Sequence, residues 1–146
     1  MKIISSAFEN NQMIPQKYTC DGENISPSLE IFDVPKNARS LALICNDSDA
    51  PSGDFIHWLV WNIAPETRKI DEGTAPEGAI LGITSSGQSN YASPCPPTGV
   101  HHYHFKLFAL DAKLNLSQSA GKSELLKAAQ NHILAEAELV GLYQRQ

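Results

Sequence analysis

Four side chains in this sequence could handle protons or anions together: Asp47, Asp49, His57 and His101. A stiff, turning loop, Pro94-Cys95-Pro96-Pro97-Thr98-Gly99, leads directly into the second histidine. Imidazole N–H groups can donate to a phosphoryl oxygen, and a backbone N–H near Gly99 can be approached closely because no Cβ blocks it. A carboxylate beside an imidazole favours its charged form and fixes its tautomer. Two carboxylates repel an anion, so Asp47 and Asp49 would have to be held by hydrogen bonds and act as supports. Two acids, two histidines and a loop with Pro and Gly at strand ends could together form the lip of a pocket. Each residue alone also has an ordinary structural use: an Asp in a turn caps backbone N–H groups, and a His in an apolar strand is a satisfied core residue. A hydrolase with His and Asp as general acid and base is the enzymatic alternative. Against it, the sequence has no G-x-S-x-G nucleophile motif and no three-ligand metal pattern. His102 and His104 could reach one metal ion from a shared strand face, but two ligands alone do not make a site.

These groups need strands to position them. Leu41-Ala42-Leu43-Ile44-Cys45 is an apolar run of buried-strand type that ends in the polar turn Asn46–Pro51. Phe55–Ile63 is rich in aromatic and β-branched residues and apolar on both faces, which predicts a central strand. The stretch from Pro65 to about Pro97 reads as loop-rich. His101–Leu110 alternates, so His101, Tyr103, Phe105, Leu107 and Ala109 face inward while His102 and His104 face water. Ser123–Asn131 is the best helix, with Ser123 as a plausible N-cap. Propensity would extend it through Leu139, whereas alternation of Ile133, Ala135, Ala137 and Leu139 describes a strand face.

The chain has 146 residues with 42% hydrophobic and 18% charged, the size and balance of one folded domain over residues 1–146. Nine Pro and nine Gly chop it into short pieces, as in a strand-and-loop protein. The net charge of −5 argues against a nucleic-acid binder and against broad attachment to anionic membranes. It leaves open a single phosphate in a pocket, which depends on local donors. No segment approaches the roughly 18 apolar residues of a spanning helix. The opening Met1–Ser6 turns polar too soon for a signal peptide, which predicts a cytoplasmic protein. Three widely spaced cysteines, Cys20, Cys45 and Cys95, with no C-x-x-C pair, are then expected as reduced thiols. A Cys20–Cys95 bridge is the alternative, since both lie in turn-like segments.

Five motifs in order carry a family resemblance. Asp47-Ser48-Asp49-Ala50-Pro51 resembles the D-P-D-A-P motif of the phosphatidylethanolamine-binding, or Raf-kinase-inhibitor-like, family. His57-Trp58 with Val60 and Asn62-Ile63 is similar to its His-Trp strand. Pro94-Cys95-Pro96-Pro97 with Gly99-Val100-His101-His102-Tyr103 resembles its G-P-C-P-P…G-x-H-R-Y segment. Tyr18–Pro27 and Leu134–Gly141 resemble the opening and close of the small bacterial branch. The resemblance implies a mainly β fold, a large antiparallel sheet packed on a smaller one with a few short helices, and a C-terminal strand over Ile133–Tyr143. It implies an anion pocket formed by Asp47, Asp49, Ala50, Pro51, His57, Pro96, Pro97, Gly99, His101 and Tyr103, and a cis bond before Pro51. Three residues depart from the family pattern: Ser48 for Pro, which frees φ in the turn; His102 for Arg, which removes a two-pronged donor; and His104 for an apolar residue.

The function implied is a non-enzymatic binding or regulatory protein that takes a phosphoryl-bearing anion or phospholipid headgroup, without cofactor or metal. Inhibition of a kinase or protease is the alternative on the binding side. Because the sequence closes at Gln146, the extra C-terminal helix of the animal branch is expected to be missing. One side of the pocket is then open to a second copy in a homodimer.

Overall fold

The structure, a computed structural model, describes residues 1–145. Its strands are β1 (Lys2–Ile4), β2 (Gln12–Met13), β3 (Leu29–Phe32), β4 (Ser40–Asp47), β5 (Phe55–Ile63), β6 (Lys69–Ile70), β7 (Ile80–Leu81), β8 (His101–Leu110) and β9 (Ile133–Tyr143). A 3-10 turn spans Gln16–Tyr18 and one helix, α1, spans Lys122–Ala129. A six-stranded sheet has the order β2-β9-β8-β4-β5-β7, and a three-stranded sheet the order β1-β3-β6. All pairs are antiparallel except β2 with β9, where the edge strand runs parallel.

The large sheet is apolar on both faces because both are covered. On one face Leu41, Leu43, Cys45, Trp58, Val60, Phe105 and Leu107 pack against Ile3, Leu29 and Ile31 of the small sheet. On the other, Ala42, Ile44, Leu59, Trp61 and Phe108 pack under Leu125 and Ala129 of α1 and under Leu114 and Ala120 of the preceding loop. Each such fully buried large side chain contributes roughly 1.5–3 kcal/mol. β5 is therefore doubly buried without being central: it lies fifth of six, beside the two-residue edge strand β7. Its alternation is reset at Asn62, whose φ of +55° marks a bulge, so that Ile63 shares a face with Trp58 and Val60. The Asn62 amide then clamps Leu114, donating to its carbonyl at 2.8 Å and accepting from its N–H at 2.7 Å.

α1 begins one residue earlier than expected. Gly121, not Ser123, is the N-cap, and its N–H donates to the Glu124 carboxylate at 2.8 Å. The strand over Ile133–Tyr143 is present, paired with β8 from Leu110↔Ile133 to His101↔Tyr143. Pairing along its length overrides the helix propensity of its Ala and Glu residues. The cysteines differ from the reduced expectation: Cys20 and Cys95 are bridged, and only Cys45 is free, buried in the core. The fold brings the two turn segments together, with the Cys20 N–H donating to the Pro94 carbonyl at 3.1 Å. No helix among the described residues is long and apolar enough to cross a membrane.

Candidate functional site

The ends of β4, β5 and β8 converge where the sequence places its acids and histidines. Asp47 closes β4, and its carboxylate is fully engaged: Oδ1 accepts the Asp49 N–H at 2.8 Å and Oδ2 accepts His101 Nδ1–H at 2.6 Å. His101 opens β8 on the inward face, and its Nε2 lies 3.1 Å from the Thr98 carbonyl. A carboxylate and a carbonyl both only accept, so His101 fills both contacts as a donor when both nitrogens carry protons. The ring thereby ties the acidic turn to the Pro96–Thr98 loop.

His57, on β5, is also buried, at 6% exposure. Its Nδ1 lies 2.6 Å from the Ala92 carbonyl, which can only accept, so Nδ1 holds the proton and Nε2 offers a lone pair in the neutral ring. Burial pushes His57 below its ordinary value, against the opposing bond to Ala92 and the charge of Asp47. Its ring is flanked by Phe55, with centroids 4.7 Å apart, and meets Tyr103 edge-on at 5.2 Å. Tyr103 is wholly buried, and its hydroxyl has no hydrogen-bond partner among the described residues. Burial, reinforced by Asp47, pushes its phenol far up, so the O–H stays protonated.

Around these groups lies a cavity of about 370 Å³. Of the ten expected residues, Asp47, Ala50, Pro51, His57, Pro96, Pro97, His101 and Tyr103 line it. Asp49 turns outward instead: Oδ2 accepts both the backbone N–H and Nδ1–H of His102 at 2.8 Å, and these bonds hold its carboxyl below the usual range. Gly99 also lies off the wall, at φ +72°. Phe55, Ser52, Ser86, Ala92, Ser93 and Cys95 complete the lining. Phe55 was legible, since it stands two residues before His57 on the same face. The irregular loop from Ser86 to Ser93 has no period to read. It lies along β5, where the Ser85 N–H donates to Ile56 and the Ala92 N–H to His57.

Two local expectations are corrected. Every peptide bond among the described residues is trans, including that before Pro51. The reversal is made by a turn in which the Gly53 N–H donates to the Ala50 carbonyl, with Gly53 at φ +103°. His102 is exposed, but His104 is only half-exposed, set between its cross-strand neighbours Asn46 and Val140. Its Nε2 lies 3.1 Å from the Ser48 hydroxyl and its enclosed Nδ1 3.6 Å from Glu138. Two of the departures from the family pattern, Ser48 and His104, thus meet, and the third, His102, holds Asp49; Asp47, Ser48 and Asp49 are held by His101, His104 and His102 in turn. Among the described residues no cluster of three or more His, Cys, Asp or Glu could hold a metal ion.

Comparison with known proteins agrees with this fold. A UPF0098 protein of Methanothermobacter thermautotrophicus is 47% identical over 150 residues, spanning 99% of each chain. A UPF0098 protein of Chlamydia muridarum is 43% identical, again over 99% of each. A solved structure described as a phosphatidylethanolamine-binding protein homolog from Chlamydia trachomatis superposes with a TM-score of 0.96 at 40% identity, covering 99% of this chain and 97% of that one. E. coli YbcL, described as a new member of the mammalian family, superposes at 0.92 with 26% identity, covering 99% and 98%. The family model for phosphatidylethanolamine-binding protein matches residues 4–144, from β1 through the pocket segments to the residue after β9. In both its fold and the order of its motifs, this chain belongs to the phosphatidylethanolamine-binding protein family.

Proposed function

We propose that this chain is a non-enzymatic binding protein whose cavity at the ends of β4, β5 and β8 takes a small phosphoryl-bearing anion. The observation that carries the reading is the buried, unpartnered Tyr103 hydroxyl beside a His57 ring with one nitrogen uncommitted, in a cavity of about 370 Å³. A buried polar group without a partner is costly, and a ligand oxygen relieves the cost. Size supports it too, since the volume suits a headgroup and not a large metabolite. The enzymatic reading has less support: Ser52, Ser86 and Ser93 line the wall, yet none is hydrogen-bonded to His57, so no nucleophile–base pair is assembled. Action on a kinase or protease would follow from ligand-dependent docking of the same chain. The test is calorimetric titration with inorganic phosphate and methyl phosphate, with Tyr103→Phe as control. Saturable binding that weakens about tenfold in the variant is expected. No heat with either ligand at millimolar concentration refutes the reading.

A further inference from the structure

The chemical class of that anion can be narrowed, and the narrowing rests on the reading above. The lining brings one carboxylate, Asp47, and no lysine or arginine to the cavity. His101 has both ring nitrogens engaged, on Asp47 and on the Thr98 carbonyl, and so has no N–H left for a ligand. His57 has given its Nδ1–H to the Ala92 carbonyl, which leaves Nε2 as an acceptor. Tyr103 keeps an unpartnered O–H in the same wall. The uncommitted groups are therefore the His57 ring acceptor, the Tyr103 hydroxyl donor and the hydroxyls of Ser52 and Ser93, which can donate or accept, without a permanent cation. A fully ionised oxyanion offers acceptors only and meets a lone pair at His57. A singly protonated one offers an O–H for Nε2 and an oxygen for the tyrosine.

We infer that the pocket selects a phosphate monoester carrying one proton, and discriminates against phosphate diesters, which have no proton to give. His57 Nε2 is the residue that reads that proton. The charged and titratable groups facing it are Asp47 from β4, Asp54 ahead of β5, and His101 and Tyr103 from β8. Asp54 is already held by Asn46 and Lys122, and Asp47 by His101 and the Asp49 N–H. Neither is left to supply a proton. Burial disfavours the charged form of the ring. A dianionic monoester enters only as a proton is taken from solvent, shared between its oxygen and Nε2. A diester, as in an intact glycerophospholipid headgroup, leaves the lone pair facing an oxygen.

The test compares methyl phosphate with dimethyl phosphate by calorimetry at pH 6, where the diester is a monoanion and about half of the monoester is. Dibutyryl phosphatidic acid is a third arm carrying the same monoester on a lipid. The monoester is expected to bind at least tenfold tighter than the diester. At pH 8, titration in two buffers of different ionisation enthalpy should show uptake of about one proton per methyl phosphate bound. In His57→Leu the preference for monoester should collapse toward unity, whereas Tyr103→Phe weakens both ligands and keeps the preference. Thermal melts establish that each variant is folded. Tighter binding of the lipid arm than of methyl phosphate identifies a lipid source, and equal binding a free monoester; both support monoester selection. Equal binding of methyl and dimethyl phosphate overturns the inference while leaving the anion site standing. A preference that survives intact in folded His57→Leu overturns it as well, because the diester is then excluded by size. Binding of neither ligand removes the anion site itself.

Discussion

The Asp47–His101 pair sets the frame of the pocket, and its coupling energy can be predicted. Both side chains are nearly inaccessible, 5% and 7% exposed, and they meet at 2.6 Å. Asp47→Ala removes two accepted bonds at once, from His101 Nδ1 and from the Asp49 N–H. Hydrogen bonds to charged groups are worth about 1.5–3 kcal/mol net, and breaking a buried pair by deleting one partner costs about 3–5 kcal/mol. The His101 ring keeps its Nε2 contact with the Thr98 carbonyl, so the cost of Asp47→Ala should fall near 3 kcal/mol, at the low end of about 3–5 kcal/mol. His101→Ala strands a buried carboxylate with a single donor, and about 4 kcal/mol is expected. The double variant has neither stranded group. Its cost should fall short of the sum of the two by about 2 kcal/mol, the coupling of the pair. Urea unfolding of the four proteins, followed by tryptophan fluorescence, measures the cycle. Additivity to within 0.5 kcal/mol, the usual scatter for independent sites, would refute the claim that the pair acts as one unit.

Three further outcomes follow from the packing. The Cys20–Cys95 bridge joins positions 75 apart in sequence, so Cys95→Ser or full reduction should lower stability by roughly 4 kcal/mol; urea midpoints that do not move with dithiothreitol contradict this. His57 is held below its ordinary value of 6.5, so the unfolded chain takes up its proton first. Its contribution is complete above about pH 6.5 and declines as pH falls from there toward the folded value, and an NMR titration placing His57 at or above 6.5 would be the contrary result. At Gly82 an added Cβ would lie 2.4 Å from the Trp61 ring and 2.8 Å from the Ala120 carbonyl, so Gly82→Ala should cost about 1–3 kcal/mol, read as a lowered melting temperature.

The long strands were legible because their apolar runs are longer than any competing pattern. β4, β5 and β8 announce themselves through Leu41–Cys45, the aromatic stretch after Phe55, and the alternation from His101. β9 was ambiguous from composition because its outer face is partly exposed and carries Glu136 and Glu138 among alanines, a mixture that suits a helix equally well. The family resemblance decided it. The two-residue strands β2, β6 and β7 have no period to detect and form only because a long neighbour offers an edge. In the cavity, His101 and Tyr103 followed from the alternation of β8, and His57 from the resemblance to the His-Trp strand. Asp49 and Gly99 did not, since side-chain direction in a turn depends on local φ and on partners such as His102. Compartment logic favours reduced thiols, and no spacing rule reports that residues 20 and 95 meet.

The attachment of the 47–49 turn to β8 has a consequence for how this protein can change. Three contacts, spanning 54, 56 and 53 positions in sequence, join successive turn residues to His101, His104 and His102. The two stretches are thereby a single unit of inheritance. A substitution at Ser48 or Asp49 leaves a histidine unmatched on the neighbouring strand, and a substitution of that histidine leaves the turn unmatched. Chimeras that exchange residues 47–51 with a relative should therefore tolerate the graft only when residues 101–104 travel with it. Across natural relatives, the two segments should drift in step and not separately.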